Sequence, residues 1–166
     1  MMRKFSRSAL AVLAVLAVQA CSDSDTTTAP PTPTPPPSVA GIWLYHAPAL
    51  RGTIAGSPAE CRAFEGTLTL VQAPGSSNFS GTYSGLRLNC FAQGSGGTWT
   101  FGPFSGDVVS GVIDEDSNLA FGFDVNDWFH FGYMNPGRIL GTAVVDLMID
   151  NAEVTFTGSF SMMPPN

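Results

Sequence analysis

The segment RILGTAVVDLMIDNAEVTFTGSFSMM, residues 138–163, decides the fold of this chain. Turned at Asp150-Asn151, it predicts two strands, 138–149 and 152–163, in which apolar residues and glycines face one another. The facing pairs are Leu147 with Val154, Val145 with Phe156, Ala143 with Gly158, Gly141 with Phe160 and Ile139 with Met162. Most of the residues between them are polar, which is typical of an antiparallel sheet with one face on a core and the other in water.

A second hairpin, over predicted strands 119–125 and 128–134, carries aromatic residues on both faces. A two-residue turn at Asn126-Asp127 predicts Phe123 opposite His130 and Phe121 opposite Gly132 on one face, and Phe131 opposite Gly122 and Phe129 opposite Asp124 on the other. One face can line the interior, but the other must be covered by a loop, a second subunit or a partner, or remain an exposed apolar patch. Residues 119–134 are therefore the candidate surface for a partner or for a homo-oligomer.

Short runs of threonine, valine and aromatic residues, separated by Gly, Asn, Asp and Pro, predict eight strands in all. The predicted strands are 40–46, 62–72, 79–90, 98–112, 119–125, 128–134, 138–149 and 152–163. All connections but the first are short, which favours antiparallel pairing of neighbours. We therefore expect an all-β fold, a single antiparallel up-and-down β-barrel, with a two-sheet β-sandwich as the alternative.

A proline-rich tether precedes this domain. Residues 22–38, SDSDTTTAPPTPTPPPS, include six of the thirteen prolines and almost nothing that can be buried, so they are predicted to be disordered. Biased to the polyproline II conformation, the tether can reach roughly 50 Å. All eighteen glycines lie beyond Val39, which predicts one barrel domain over residues 39–166.

The chain begins with a predicted secretory signal, residues 1–20. Its apolar run, 9–18, is too short to span a bilayer as a permanent helix. The basic residues before that run are Arg3, Lys4 and Arg7. Val18-Gln19-Ala20 leads into Cys21, an ending that resembles the lipobox of bacterial lipoproteins. The resemblance implies cleavage before Cys21 and membrane attachment through lipid on that cysteine; ordinary secretion with Cys21 free is the alternative.

Charge restricts the partners of the predicted mature chain. Removal of residues 1–20 takes away three of the seven basic residues and none of the thirteen acidic ones, which changes the net charge from −6 to −9. An acidic domain without lysine has no basic footprint for nucleic acid, so no nucleic-acid partner is expected. Ser22 stands where an aspartate would resemble an inner-membrane retention signal, which favours the outer membrane of a bacterial cell envelope as the location.

Cys61 and Cys90 are the two cysteines left in a chain sent to an oxidising compartment, and we expect them to form a disulfide. If strands 62–72 and 79–90 turn around residues 74–77, opposed residue numbers sum to 151, which places Cys61 opposite Cys90. Two thiols and two distant histidines do not make up a metal site, so no metal or cofactor is expected.

Gly41-Ile42-Trp43, in the first predicted strand, resembles the G-x-W that opens the lipocalin barrel and, in a similar place, the avidin barrel. In both families the tryptophan belongs to the barrel packing, and a small molecule binds in the barrel mouth. The resemblance implies a barrel of that shape. The chain departs from lipocalins in strand 152–163, which contains no arginine to cover the tryptophan.

Candidate ligand contacts follow from this shape. Residues 47–60, between the first two predicted strands, are the one connection long enough for a lid or rim, which makes Arg51 a candidate polar contact at the mouth. The candidate ligand-binding residues are Trp43, Arg51, Tyr83, Trp99, Phe129 and Phe131. The predicted interior is made of Trp43, Phe64, Leu68, Tyr83, Trp99, Phe121, Phe129, Phe131, Phe156 and Phe160, a set more typical of a plain core than of a ligand wall.

Signals for catalysis are weak. His46, at a strand end, and His130, among aromatic residues, lack an accompanying serine or cysteine nucleophile motif, so no catalytic residue is assigned. Residues 114–118, DEDSN, lack the glycine and distant glutamate of a calcium loop and are typical of a polar turn. Gly94-Ser95-Gly96-Gly97 precedes a strand rather than a helix, which favours a flexible loop over a phosphate site.

These features favour a non-enzymatic cell-envelope lipoprotein whose barrel is a binding or interaction module, with a small apolar ligand or an envelope protein as its target. The alternative is a structural or assembly lipoprotein with a solid core and no ligand. A hydrolase-type enzyme is the third hypothesis, and it requires histidine and carboxylate groups that converge in a pocket.

Overall fold

The computed structural model describes residues 34–94, 96–125 and 127–165. The predicted signal, Cys21 and most of the tether lie outside the described residues. The eight strands are β1 (Gly41–Ile54), β2 (Ser57–Gln72), β3 (Asn78–Ala92), β4 (Thr98–Ile113), β5 (Asn118–Phe123), β6 (Trp128–Asn135), β7 (Arg138–Ile149) and β8 (Ala152–Met163). The described residues contain no helix that is both long enough and apolar enough to cross a membrane.

The strands form a closed barrel in sequence order, and every pair of neighbours is antiparallel. This confirms the predicted all-β up-and-down barrel and rules out the sandwich alternative. Short connections explain the order, because each strand pairs with the next one along the chain before β8 closes on β1. We call the end at which β1 begins the N-terminal end of the barrel, and the end with the 124–127 turn the opposite end.

The β7–β8 hairpin has the predicted register from Ile139↔Met162 to Ile149↔Ala152. Its turn residues, Asp150 and Asn151, both have positive φ, as a two-residue hairpin turn requires. Gly141 faces Phe160 across the two strands, and a Cβ on Gly141 would lie 2.7 Å from the Phe160 ring. Glycine at that position therefore makes room for an interior phenyl ring.

The β5–β6 register differs from the prediction by two residues. Phe121, rather than Phe123, lies opposite His130, and Phe123 lies opposite Trp128. β5 ends at Phe123 and β6 begins at Trp128, so the connection takes four residues, 124–127, rather than two, while Asp124 stays against β4 through its backbone N–H bond to Asp107 O. A shift of two keeps each side chain on its face of the sheet. The prediction of aromatic residues on both faces is therefore confirmed.

The predicted lid over residues 47–60 is not a loop. β1 and β2 continue through it and turn at Ala55-Gly56, where both residues have positive φ. Pro48 is accommodated because the β1 register shifts between Ala47 and Leu50 towards β2, and between His46 and Ala49 towards β8. A β-bulge thus absorbs the proline that made this segment look irregular.

The predicted disulfide is confirmed. Cys61 and Cys90 are opposed in the β2–β3 hairpin, whose residue numbers sum to 151 from end to end. Their Cα atoms lie 3.9 Å apart, and the bond closes a loop with a sequence separation of 29. Both residues are buried, so the bond lies on the inner face of the barrel.

Side chains fill the barrel interior, as expected for a barrel of eight strands. Stacked or edge-to-face rings meet near its centre, with Phe121 and His130 centroids 4.2 Å apart and Tyr83 and Phe123 centroids 4.3 Å apart. The largest fully buried side chains are Trp128, Tyr45, Phe156, Phe160, Leu50, Leu68, Leu86, Leu88, Ile113, Ile139, Leu147 and Ile149. The barrel is therefore a packed core rather than an open cup.

The disulfide is expected to contribute substantially to stability. We predict that Cys61→Ala/Cys90→Ala lowers the free energy of unfolding by about 3 kcal/mol, because a closed loop of this length restricts the unfolded chain. Guanidinium denaturation followed by tryptophan fluorescence measures the difference. A reductant should lower the denaturation midpoint of the wild type and leave that of the variant unchanged. Equal midpoints of the wild type and the variant without reductant would contradict the prediction.

Candidate functional site

A buried polar pair lies at the centre of the barrel. Tyr45 of β1 and His130 of β6 point inward from opposite sides, and the Tyr45 hydroxyl lies 3.0 Å from His130 Nε2. His130 is fully buried, and its ring lies among those of Phe121, Phe123 and Phe160. Since the surrounding side chains are aromatic, the pair bonds chiefly to itself.

Burial determines the ionisation of this pair. Desolvation lowers the pKa of His130 to about 3 and raises the pKa of the Tyr45 hydroxyl above its usual value. The imidazole and the phenol are therefore both neutral near pH 7. His130 Nδ1 and the indole Nε1 of Trp128 have no hydrogen-bond partner among the described residues. A neutral pair enclosed by rings is a packing feature of the core.

Trp43 closes the N-terminal end of the barrel. Its indole Nε1 donates to the carbonyl of Val39, 2.9 Å away, and Val39 is fully buried. The side chain of Gln72 at the end of β2 holds the same segment, because its Oε1 accepts from Val39 N and its Nε2 donates to Pro37 O. Trp43 is thus a packing residue at the point where the chain enters the barrel.

Tyr83 and Asp124 meet at the edge of the core. The Tyr83 hydroxyl donates to Asp124 Oδ1, 2.9 Å away. Hydrogen bonds from the backbone of Asp107 and from Tyr83 lower the pKa of the Asp124 carboxyl, whereas desolvation and the neighbouring carboxylates raise the pKa of the Tyr83 hydroxyl. Asp124 is therefore an anion fixed between β3, β4 and the 124–127 turn.

An aromatic patch covers the outside of the barrel at β6. Phe129, Phe131 and Tyr133 project outward and are 45%, 57% and 45% exposed, large fractions for rings. Val109 of β4 extends the patch: a Cβ on Gly122 would lie 3.3 Å from Val109 and 3.5 Å from Phe129, so the two side chains flank a glycine. We call Val109, Val112, Phe129, Phe131 and Tyr133 the β6 face.

The strands beside the β6 face present no charged side chains next to it. The other outward positions on β5 and on the facing part of β7 are Asn118, Ala120, Gly122, Leu140, Thr142 and Val144, none of which is charged. Next to the face, a shallow depression of about 400 Å³ is lined by Ser77, Val112, Ile113, Asp114, Asn118, Leu119 and Ala120. The face and the depression form one mostly apolar surface, with the Asp114 carboxylate at the edge of the depression.

The acidic turn 114–118 is held by its own hydrogen bonds. Asn118 donates through its backbone N and its side-chain Nδ2 to the Asp114 carboxylate, which lowers the pKa of that carboxyl. This arrangement is the polar turn that the residue types predict. A second acidic group, Asp127, Asp146 and Glu153, brings three carboxylates within 4.8 Å of one another at the opposite end, and Thr155 donates to Asp146.

Several predicted residues lie elsewhere than expected. Phe64, Phe129 and Phe131 point outward instead of lining the interior. Arg51 lies on the outer side of β1, with its side chain 79% exposed and its Nε 3.8 Å from Glu60, so it does not line a mouth. His46 is mid-strand, against the Phe64 ring. Strand alternation accounts for these positions: Phe129 and Phe131 alternate with the buried His130 along β6, and Arg51 follows the buried Leu50 along β1.

Trp43, Tyr83 and Trp99 do face inward, the last only half-buried. Their assignment to ligand binding stays a prediction. Tyr45 and Trp128 are central residues that the predicted interior does not include. Tyr45 alternates with Trp43 along β1, and Trp128 alternates with His130 along β6, so the period of two already indicates both.

Comparison of the chain with protein-family models found no match, and neither did comparisons with curated proteins and with solved structures. The class defined by the structure is a fold class: an eight-stranded antiparallel up-and-down β-barrel with a filled interior, consistent with a lipocalin-like shape. Because a fold of this kind hosts many functions, the function has to be argued from its surfaces.

The buried imidazole should make the barrel sensitive to acid. Below pH 6.5, the ordinary pKa of histidine, His130 is protonated in the unfolded chain, but in the folded barrel it stays neutral down to about pH 3. The contribution of His130 to the free energy of unfolding is therefore fully present above pH 6.5 and decreases as the pH falls. We expect one such group to contribute roughly 1.4 kcal/mol per pH unit. Urea denaturation between pH 5 and 6.5, where carboxylates remain ionised, measures the slope.

The matched variant is Tyr45→Phe/His130→Phe, which keeps the ring volumes and removes both polar groups. Between pH 5 and 6.5 its free energy of unfolding should change less with pH than that of the wild type. The difference between the two slopes is the contribution of the one proton that His130 binds on unfolding. The same slope in both proteins would show that His130 is not held neutral by the folded barrel.

Proposed function

We propose that this chain is a cell-envelope lipoprotein, anchored through Cys21, whose barrel is a non-catalytic module that binds another envelope protein through the β6 face. The observation that carries the proposal is the exposed aromatic cluster on a barrel whose interior is already filled. With no cup to hold a ligand at its centre, the barrel offers its outer surface for recognition.

The β6 face has the chemistry of a protein contact. Three half-exposed rings present roughly 300 Å² of apolar surface, at about 200 Å² per aromatic side chain, before the two valines are counted. That is the size range in which the largest apolar patch of a monomer is often functional. Aromatic residues are enriched at the centres of protein interfaces, where a polar rim surrounds them.

Charge supports a protein rather than a nucleic acid or an anionic lipid surface as the target. Acidic residues lie at both ends of the face, in the 114–118 turn and around Asp124 and Asp146, and the described domain contains four arginines and no lysine. Polyanions are repelled by such a rim, whereas a partner with an apolar patch and basic flanks is attracted.

A structural or assembly role is the second candidate, and the filled interior favours it equally, because that role needs a solid core and a partner. The hydrolase hypothesis receives no geometric support from the described residues: His130 is enclosed by rings, and His46 lies outside the barrel against Phe64. The first two hypotheses share a protein partner and differ in what the partner does.

Substitution of the exposed phenylalanines of β6 is expected to abolish binding of the partner protein. Protein isolated from its own host should contain a co-purifying protein in native mass spectrometry, and Phe129→Ser/Phe131→Ser should reduce its recovery at least tenfold, since buried rings carry much of an interface's energy. The matched control is Val71→Ser/Met163→Ser, which removes two exposed apolar side chains elsewhere. Equal recovery with both variants would reject the β6 face, and a homodimer lost only with the phenylalanine variant would make the partner a second copy.

The anchor is tested separately. With Cys21→Ser, the chain is expected in the soluble fraction after cell lysis, whereas the wild type should sediment with membranes and carry the mass of an added lipid. The control, Cys61→Ala/Cys90→Ala, keeps Cys21 and should remain with membranes. Membrane sedimentation of the Cys21→Ser variant would refute the lipid anchor.

A further inference from the structure

The first half of β4 has a strand on one side only. β5 pairs with β4 from Val108 to Ile113, and Asp107 O accepts from Asp124 N at the end of that pairing. Across the rest of β4, residues 98–106, β3 is the only neighbouring strand in the described part of the chain. The short β5–β6 hairpin therefore leaves this half of β4 as a sheet edge.

The alternation of hydrogen-bonded and non-bonded residue pairs between β3 and β4 identifies which backbone N–H and C=O groups of this edge point away from β3. Ala92 N donates to Gly97 O, 3.0 Å away, and the same register pairs Cys90 with Trp99. Because bonded and non-bonded pairs alternate in an antiparallel ladder, Trp99 directs its N–H and C=O to β3. Thr98 and Thr100 then direct theirs away from β3, towards the free side.

The pairing of β3 with β2 leads to the same assignment. Gln93 N donates to Pro58 O of β2, 2.8 Å away, so odd-numbered residues of β3 in this region bond to β2 and even-numbered ones bond to β4. Thr98 and Thr100 are exposed, so their free backbone groups are accessible. The Thr100 hydroxyl does not cover the edge, since it donates to Asn89 Oδ1 on β3.

Unlike most natural edges, this one carries no charge that would prevent pairing. Residues 88–106 contain no Asp, Glu, Lys or Arg. Pro103, which has no N–H, follows Gly102 and ends the usable stretch, so the available edge is 98–101. A stretch of this length suits the addition of one short strand.

Negative charge lies further along the uncovered half of β4, five residues beyond the 98–101 edge and past Pro103. The Asp124 carboxylate lies over Gly106, where an added Cβ would be 2.7 Å from Oδ2, and Asp107 follows directly. Both ion pairs found among the described residues involve Glu60, so neither aspartate is neutralised by an arginine there. A bound segment that pairs with 98–101 and continues past Pro103 would meet two carboxylates there.

We infer that the 98–101 edge of β4 is a second binding site, which takes an extended peptide segment of a partner protein by β-strand addition and receives a basic residue of that segment beside Asp107 and Asp124. The inference goes beyond the proposed function, because it involves none of the residues of the β6 face. A second copy of this chain fits less well, since its own edge is uncharged and the copy is acidic.

The test uses two synthetic peptides, acetyl-KVTVTVK-amide and acetyl-EVTVTVE-amide, with the purified ¹⁵N-labelled chain. Amide exchange followed by NMR should show fast exchange at Thr98 and Thr100 without peptide, and at least tenfold slower exchange with saturating KVTVTVK. Trp99 and Phe101, bonded to β3, should be protected throughout. That alternation distinguishes strand addition from binding elsewhere.

Two variants separate backbone pairing from side-chain contact. Thr100→Pro removes an N–H that points away from β3 and should weaken KVTVTVK binding about tenfold or more, whereas Thr100→Val keeps the N–H and should bind as the wild type does. Asp107→Asn should reduce the ratio of the affinity for KVTVTVK to the affinity for EVTVTVE.

Three outcomes would overturn the inference. They are no gain of protection at millimolar peptide, equal peptide affinity of Thr100→Pro and Thr100→Val, and protection of Thr98 and Thr100 in a dimer without peptide, which would assign the edge to a second copy. None of these outcomes bears on the β6 face, whose test depends on Phe129 and Phe131.

Discussion

Closure of eight antiparallel strands around a space just wide enough for side chains is the constraint on which this structure depends. Every second residue of each strand must fill that space without a void or a clash. Rings therefore alternate with small residues, as where Phe160 lies over Gly141. Polar groups that enter the space have few partners other than one another, and Tyr45 and His130 form a hydrogen bond across the centre.

The same constraint leaves the outer surface as the part of the barrel that is accessible to a partner. An imidazole and a phenol at the centre of the barrel are shielded from water and from substrates, and burial keeps both neutral. A side chain that lies outside is free of the packing requirement. Exposed rings on β6 are costly to leave in water, which makes them the strongest sign of recognition in the described domain.

Unequal strand lengths add a second consequence. β2 and β4 have 16 residues each, whereas β5 has 6 and β6 has 8. A barrel removes sheet edges only over the length that neighbouring strands share. Where β4 outlasts β5, the backbone groups of Thr98 and Thr100 lack a neighbouring strand, and the Asp107–Asp124 pair marks the place where pairing stops.

The sequence by itself determined the features that local alternation and turn chemistry control. The β7–β8 register, the Cys61–Cys90 pairing and the eight strands in their order all follow from a period of two broken by turn residues. Tertiary contacts decided the rest. Asp124 is held by Tyr83 of β3 and Asp107 of β4, and the β5–β6 connection takes four residues, which shifts the register of that hairpin by two. A bulge in β1, on both its β2 and its β8 side, admits Pro48 into the strand. The choice of which aromatic face of β6 turns inward was also tertiary, because two faces of similar hydrophobicity are distinguished only by the side chains that the other strands bring to the centre of the barrel.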